Sequence, residues 1–268
     1  MSEGWLSAHP SKRWAERFVL LYSPVWIALV AVVQLGQILD PWGDLAYLVF
    51  GVLLAAPLVV VPLIWPGAAD RGRPLRERHW VKLNLWLAIF TWCGSYFITH
   101  YFFEALGMAY RFPVTWTFDA VLPARMHDTA GKVPIFLYFM TQAYFATYHV
   151  VMVVLYRRVA RVVTSPWLRG VAVLAISYVV AFAETWAMAN PLLERYFEYA
   201  DRAWMLRVGS TAYATLFVVS LPLIARIDET ANGAPEPHRW PLRRVALEAC
   251  AASFLALQLI DLWVHAVA

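Results

Sequence analysis

The sequence predicts an all-α, polytopic membrane protein, a bundle of about seven transmembrane helices. Of its 268 residues, 61% are hydrophobic and only 15% are charged, whereas a soluble globular chain is about half apolar and a quarter charged. The apolar residues also gather in runs of ~20, the length needed to cross a bilayer. We therefore expect residues 1–268 to form a single integral-membrane helical-bundle domain.

Seven stretches meet the length requirement, and short segments rich in proline, glycine and charge separate them. The predicted spans are Arg17–Leu39, Leu45–Trp65, Trp80–Phe103, Ile135–Tyr156, Gly170–Asn190, Trp204–Ile224 and Leu242–Ala266. Prolines inside them are compatible with a transmembrane helix, because neighbouring helices can satisfy the backbone groups that a kink releases. The chain shows no internal repeat of the kind that builds many secondary transporters.

The basic residues alternate between the two sides of the predicted bundle. Sixteen of the 22 Lys and Arg residues lie at or before the start of the first span, or in or beside the second, fourth and sixth loops, and the other six, such as Arg111 and Arg125, lie on the opposite side. Cytoplasmic loops carry an excess of Lys and Arg. We therefore predict a cytoplasmic N-terminus, and we attribute the net charge of +4 to topology and not to nucleic-acid binding.

Several spans contain ionisable or amide side chains, which hydrocarbon cannot solvate. Such groups must be paired, face a cavity or lie near an interface, and at membrane depth they indicate a functional site. Glu184 is the strongest candidate, because it lies about two turns inside the fifth span, ~9 Å by helical rise, too deep for a short acidic side chain to reach the interface. The other candidates are Lys82, Asn84, Tyr96, His100, His149, Asp201, Arg202, Arg207, Glu248 and Asp261.

Some of these residues have a structural alternative. Lys82 and Arg207 lie within a turn of a predicted helix end, and such side chains can extend to the interface. His149 can bond a carbonyl group of a neighbouring helix. Small residues that share a helical stripe with Glu184 commonly serve helix packing. These alternatives stay open at the level of sequence.

The motifs exclude several reaction classes. The chain has no metal-site spacing of His, Cys, Asp and Glu, no glycine-rich nucleotide loop, no GxSxG and no CxxC, and its seventh span has no lysine that could hold retinal. Carboxylate, imidazole, phenol and many aromatic rings remain. This set suits proton transfer on a lipophilic substrate without metal or cofactor. A carboxyl group in apolar surroundings can act as a general acid, and aromatic faces can shield a transient cation.

A series of short stretches runs in order over nearly the whole chain. They are Pro10–Trp14, Tyr22–Trp26, Ala69–Arg71, Trp80–Trp86, Tyr96–Phe103, Tyr148–His149, Ser177–Tyr178, Glu184–Thr185, Asp201–Gly209, Arg226–Glu229 and Asp261–Trp263. In these stretches the chain resembles the cycloeucalenol cycloisomerase family of cyclopropyl sterol isomerases. It departs from the family pattern in a longer Val114–Lys132 loop and in Gln142, where the family pattern has histidine.

The resemblance implies a cofactor-free isomerisation that opens a 9β,19-cyclopropane ring to a C19 methyl group and a Δ8 double bond. On this basis we predict Glu184, His100, Tyr96 and Asp261 as catalytic residues. The predicted substrate-binding residues are Asn84, His149, Tyr178, Trp186, Asp201, Arg202 and Arg207. The expected partners are a 9β,19-cyclopropyl sterol and the lipid bilayer, in the endoplasmic reticulum of a eukaryote or the cytoplasmic membrane of a bacterium.

Two other functions are compatible with the same polar residues. A proton-coupled membrane carrier would use buried carboxylates, although carriers usually show repeats and broken half-helices at matching positions. Another sterol double-bond isomerase, such as one that shifts a Δ8 bond to Δ7, would need a similar acid and base. The sequence does not decide the preferred sterol, nor which residue gives the proton and which takes it.

Overall fold

The computed structural model of the chain describes residues 4–121, 132–230, 233–236 and 238–267. Within these ranges, eight helices make up most of the molecule. They are α1 (Pro10–Leu35), α2 (Asp44–Ala55), α3 (Pro57–Ile64), α4 (His79–Leu106), α5 (Ile135–Val162), α6 (Pro166–Met188), α7 (Arg202–Ile224) and α8 (Leu242–Val267). Single 3-10 turns at Ala68–Asp70, Leu75–Glu77 and Pro191–Leu193 lie in the loops. Arg125 and the middle of the Val114–Lys132 loop lie outside the described residues.

The predicted fold class, an all-α multi-pass membrane protein, is confirmed. In the described part of the chain, α1 and α4 to α8 are six helices that are each long and apolar enough to cross a membrane. Helices α2 and α3 qualify only together, with a bend of 45° between them. Pro57 begins α3, and because proline has no N–H it cannot continue the hydrogen-bond ladder of α2. The predicted second span is therefore a broken helix.

The first helix begins at Pro10, earlier than the predicted Arg17. His9 caps it, since its Nδ1 accepts a hydrogen bond from the Lys12 N–H at 3.3 Å, and proline is suited to a first helical turn. Lys12 and Glu16 make the start of the helix polar in sequence, yet both side chains are buried in ion pairs. Hydropathy alone therefore placed the start of the helix too late.

Helices α5 and α7 form the centre of the bundle. Helix α5 contacts α1, α2, α4, α6 and α7, and α7 packs most extensively against α6 and α8. In the most apolar part of each helix, 67% of the residues of α5 are buried, against 22% for α6. Most of α6 therefore faces outward, and only one stripe of it reaches the interior.

Two helices contain a π-helical turn. In α4 it covers Gly94–Ile98, and in α7 it covers Met205–Gly209. A π-turn inserts an extra residue into the helical repeat, and such turns are frequent at functional sites. Residues after Ile98, including His100, therefore point in a different direction from the one that a regular 100° spacing predicts.

A short antiparallel ribbon joins the end of α4 to the loop between α6 and α7. Strands β1 (Met108–Tyr110) and β2 (Phe197–Tyr199) pair with Met108 opposite Tyr199. Gly107 precedes β1 with φ of +60°, and a Cβ atom at this position would lie only 2.7 Å from the Ala200 Cβ. A side chain is therefore excluded by both the backbone conformation and the space. Our sequence reading did not foresee these strands.

Three cations and three anions form a buried ion cluster at the end of the bundle where the basic loops lie. The ion cluster consists of Lys12, Glu16, Lys82, Arg157, Asp228 and Glu229. The Lys82 Nζ lies 2.8 Å from both carboxylate oxygens of Asp228. Arg157 bonds Glu16 and lies 3.0 Å from Glu229. Lys82 therefore does not extend to the interface as the alternative interpretation proposed.

Candidate active site

A cavity opens between α4, α5, α6 and α7 at the end of the bundle opposite the ion cluster. Its empty volume, counted together with space open to the outside, is about 850 Å³, and the ribbon residues Tyr110, Phe197 and Tyr199 form part of its wall. Apolar and aromatic side chains make up most of the lining. Among the described residues that line it, Glu184 is the one carboxylate. A concave, mostly apolar space with few polar groups is the usual form of a small-molecule site.

Helix α6 directs Glu184 into this cavity. Ser177, Ala181 and Thr185 are fully buried on the same side of the helix, and a spacing of 100° per residue brings Glu184 close to their stripe. The outer face of α6 carries exposed apolar residues such as Val179 and Phe182. The inward-facing side of α6 therefore places the Glu184 carboxyl group at the cavity wall.

Tyrosine hydroxyl groups surround the Glu184 carboxyl group. The hydroxyl group of Tyr213 of α7 lies close enough to interact with it. Four further tyrosines lie close enough to interact with it electrostatically, namely Tyr110, Tyr144, Tyr148 and Tyr199. We call these five residues the tyrosine shell. The members of this shell offer hydrogen-bond donors and aromatic faces but no positive charge.

Two members of the tyrosine shell lie outside the helices, on the ribbon. Burial, and then the nearby Glu184 carboxylate, raises the pKa of Tyr110 and of Tyr199 well above the ordinary value of 10. Both groups are therefore neutral phenols at physiological pH. A neutral phenol can donate to a carboxylate or stabilise a nearby cation through its ring, but it does not give up a proton permanently.

The other predicted catalytic residues lie outside this cavity. His100 is buried with its Nε2 3.9 Å from Asp119 Oδ1, in the direction given by the π-turn. Tyr96 packs its ring against Phe97 and Phe118. Asp261 is exposed on α8 and accepts a hydrogen bond from the Tyr101 hydroxyl group at 2.8 Å. The structure thus does not bring these three residues together with Glu184.

The predicted substrate-binding residues are distributed over the molecule. Tyr178 and Trp186 lie on the outer face of α6, 40% and 63% exposed. Asp201 caps the start of α7 by accepting from the Trp204 N–H at 2.8 Å. Arg202 and Arg207 are exposed on the first turns of the same helix. None of these five side chains lines the cavity.

Two predicted binding residues lie deeper, on other parts of the bundle. His149 is fully buried between the Phe145 carbonyl and the Ser220 hydroxyl group, 2.8 Å from each. The carbonyl belongs to its own helix and not to a neighbouring one, so the structural alternative was wrong about that partner. Asn84 faces a separate groove and donates to the carbonyl groups of Leu58 and Trp80. Both residues satisfy backbone groups of neighbouring turns.

Sequence reasoning noted Tyr148 but missed the other four members of the tyrosine shell. Tyr144 and Tyr213 lie near the middle of apolar spans and not at the interface, where tyrosine is most common. That depth was the available signal. Tyr110 and Tyr199 gave no such signal, because their place in the cavity depends on pairing between two loops far apart in the chain.

Comparison with known proteins gives one extensive similarity. The chain is 37% identical over 266 residues to a protein of Arabidopsis thaliana named "Cycloeucalenol cycloisomerase". The match covers 97% of this chain and 88% of that protein. No family model and no solved structure matches the chain. The similarity thus includes both the cavity and the ion cluster.

Proposed function

Because this chain belongs to the cycloeucalenol cycloisomerase family of isomerases, we propose that it opens the 9β,19-cyclopropane ring of cycloeucalenol-type sterols to give a Δ8 sterol. The observation that carries the proposal is that Glu184 is the one carboxyl group among the described residues that line an apolar cavity, with neutral phenols near it. This arrangement provides a proton donor and a place for a lipophilic ring system, and the described lining residues include no cation.

The reaction needs one proton in and one proton out. Proton transfer to C19 breaks the C9–C19 bond, makes the C19 methyl group and leaves a tertiary cation at C9. Loss of the proton from C8 forms the C8–C9 double bond, so that atoms and electrons balance without an oxidant or reductant. C19 and C8 are both bonded to C9. We therefore assign both steps to Glu184, which gives its proton to C19 and, as a carboxylate, takes the proton from C8.

The tyrosine shell has two tasks in this mechanism. The hydroxyl group of Tyr213 holds the Glu184 carboxyl group in place and stabilises the carboxylate that exists between the two steps. The aromatic faces of Tyr144 and Tyr199 shield the C9 cation, and the apolar lining keeps water away from it. Captured water would convert the cation to an alcohol. His100, Tyr96 and Asp261 have no part in the chemical steps of this proposal.

The test is to express the protein in a host that makes no cyclopropyl sterols and to measure the conversion of an added 9β,19-cyclopropyl sterol in its membranes. Glu184→Gln keeps the volume of the side chain but cannot transfer a proton, so we expect product formation to fall ~10²–10⁴-fold. Glu248→Gln is the matched control, because Glu248 lies on α8 beside Arg244, away from the cavity. Conversion by folded Glu184→Gln at a rate near that of the control would refute the assignment.

A further inference from the structure

A second opening, which we call the lateral groove, lies between α2–α3, α4 and α5. Its empty volume is about 1230 Å³, and its lining is almost wholly apolar. Val59, Trp92 and Phe139 line it and are exposed on the outside of the bundle. Because the helices that bound it are membrane spans, the lateral groove opens toward lipid and not toward water.

The break in the second span shapes the lateral groove. Pro62 has no N–H, so the carbonyl group of Leu58, one turn earlier, has no partner within α3. The Asn84 Nδ2 donates to this carbonyl at 3.1 Å and to the Trp80 carbonyl at 2.9 Å. One amide hydrogen of Asn84 therefore holds the broken helix, and the other is used within α4.

Gln142 lies beside Asn84 and has spare capacity to accept a hydrogen bond. Its Nε2 donates to the Asn84 backbone carbonyl and to Asn84 Oδ1, at 3.2 and 3.1 Å. Its Oε1 meets the Thr91 hydroxyl group only at 3.5 Å, the limit of a hydrogen bond. The one proton of Thr91 is already donated to the Leu87 carbonyl at 2.8 Å. The Gln142 amide oxygen thus remains available in apolar surroundings.

Thr91 connects the lateral groove to the Glu184 cavity. It lines both spaces, so the two openings are separated by little more than this residue and its neighbours on α4 and α5. A molecule that lies in the lateral groove would therefore be separated from the cavity by the wall at Thr91.

We propose that the lateral groove is the route by which a sterol passes from the bilayer to the Glu184 cavity, and that Gln142 Oε1 accepts a hydrogen bond from the sterol 3-hydroxyl group. A sterol fits these features, because it is apolar along its length and carries one hydroxyl donor. The identity of this sterol as a substrate depends on the proposed function. The binding route and the hydroxyl contact do not.

The hydroxyl contact can be tested by binding alone. The probe is dehydroergosterol, a fluorescent sterol, added to the full-length protein in lipid nanodiscs, with energy transfer from protein tryptophan as the signal. A hydrogen bond of ordinary strength corresponds to a preference of about 2- to 13-fold for the free sterol over its 3-methyl ether, which cannot donate. We expect wild type to show this preference and Gln142→Leu to bind both probes alike.

The route can be tested with two adjacent substitutions. Val59 and Val60 are 43% and 44% exposed, but only Val59 is among the residues that line the lateral groove. We expect Val59→Trp to slow probe binding at least ~10-fold and Val60→Trp to leave it unchanged. Each variant is first checked for the thermal transition of wild type. Equal binding rates for the two variants, or a 3-hydroxyl preference retained by Gln142→Leu, would overturn the proposal.

These outcomes separate the inference from the proposed function. Hydroxyl-dependent binding through the lateral groove without cyclopropyl sterol conversion would refute the proposed function alone. If the protein converts the cyclopropyl sterol but shows no preference for the 3-hydroxyl group and no slower binding in Val59→Trp, only the proposed role of the lateral groove would be refuted.

Discussion

The two ends of the helical bundle both bury acidic side chains, but they treat them differently. In the ion cluster, Asp228 and Glu229 lie within 3 Å of Lys82 and Lys12. In the cavity, Glu184 has phenols and open space beside it. Buried charges cost free energy unless they are paired. The ion cluster avoids that cost by pairing, whereas the cavity keeps its acid available to a ligand.

The difference teaches how to separate structural from functional charges in a membrane protein. The ion cluster joins four segments of the chain, since Lys12 lies in α1, Lys82 in α4, Arg157 in α5 and Asp228 after α7. Lys12 Nζ also donates to the carbonyl groups of Ala225 and Ile227 at 2.7 and 3.0 Å. Such a network fixes helix ends relative to one another. Glu184, by contrast, forms no ion pair with the described residues that would join separate segments of the chain.

The largest expected effect is the loss of one anion from the ion cluster. Glu229→Gln leaves Lys12 and Arg157 with an excess of buried positive charge, and breaking a buried pair in this way typically costs about 3–5 kcal/mol. We expect a large drop in the thermal transition of the detergent-solubilised protein, whereas Glu184→Gln should keep the transition of wild type. Glu248→Gln breaks only a half-exposed pair with Arg244 at 3.7 Å, and should change stability by less than ~1 kcal/mol.

Equal stability losses in Glu184→Gln and Glu229→Gln would break the comparison, because both acids would then be structural. Unchanged stability in Glu229→Gln would show that the ion cluster does not hold the helices together.

A smaller effect is expected at the partner of Glu184. Tyr213→Phe removes the hydroxyl group that interacts with the Glu184 carboxyl group but keeps the ring that packs on Phe102 and Phe217. A hydrogen bond to a charged group contributes about 1.5–3 kcal/mol, so we expect the rate of sterol conversion to fall ~10- to 100-fold with little loss of stability.

Tyr101→Phe is the matched control for Tyr213→Phe. It also removes a tyrosine–carboxyl hydrogen bond, the one from Tyr101 to Asp261 at 2.8 Å, but outside the cavity. We expect it to leave conversion unchanged. A loss of activity in Tyr101→Phe as large as in Tyr213→Phe would return Asp261 to the catalytic site.

Sequence reasoning located the bundle and its deepest acid for physical reasons. Spans are read from length and hydropathy, and Glu184 stands out because no interface is within reach of its short side chain. Sequence reasoning could not locate the partners of the buried polar residues. Lys82 looks interfacial in the sequence, because nothing there shows that it pairs with Asp228, far away in the chain. A regular helix would make His100 face the site, and the sequence does not reveal the π-turn at Gly94–Ile98 that changes its direction.

The smallest effect expected is a dependence of stability on pH that belongs to the ion cluster alone. Burial raises the pKa of Asp228, but the hydrogen bonds and charges of His79 and Lys82 outweigh it, so that the pKa lies below the ordinary value of 3.8. Burial likewise raises the pKa of Glu229, and Lys12 and Arg157 bring it below 4.5. Carboxyl groups with lowered folded-state pKa values contribute stability that is complete above the unfolded values and lost as the pH falls.

We therefore expect denaturant unfolding of the protein in detergent to require progressively less denaturant as the pH drops below about 4.5. Glu184→Gln should keep this acid transition, because Glu184 takes no part in the ion cluster. A shift of the acid transition in Glu184→Gln would contradict the separation of the two ends. An identical curve would place the acid-sensitive stability of the bundle at the basic-loop end, leaving Glu184 free to gain and lose a proton without unfolding the protein.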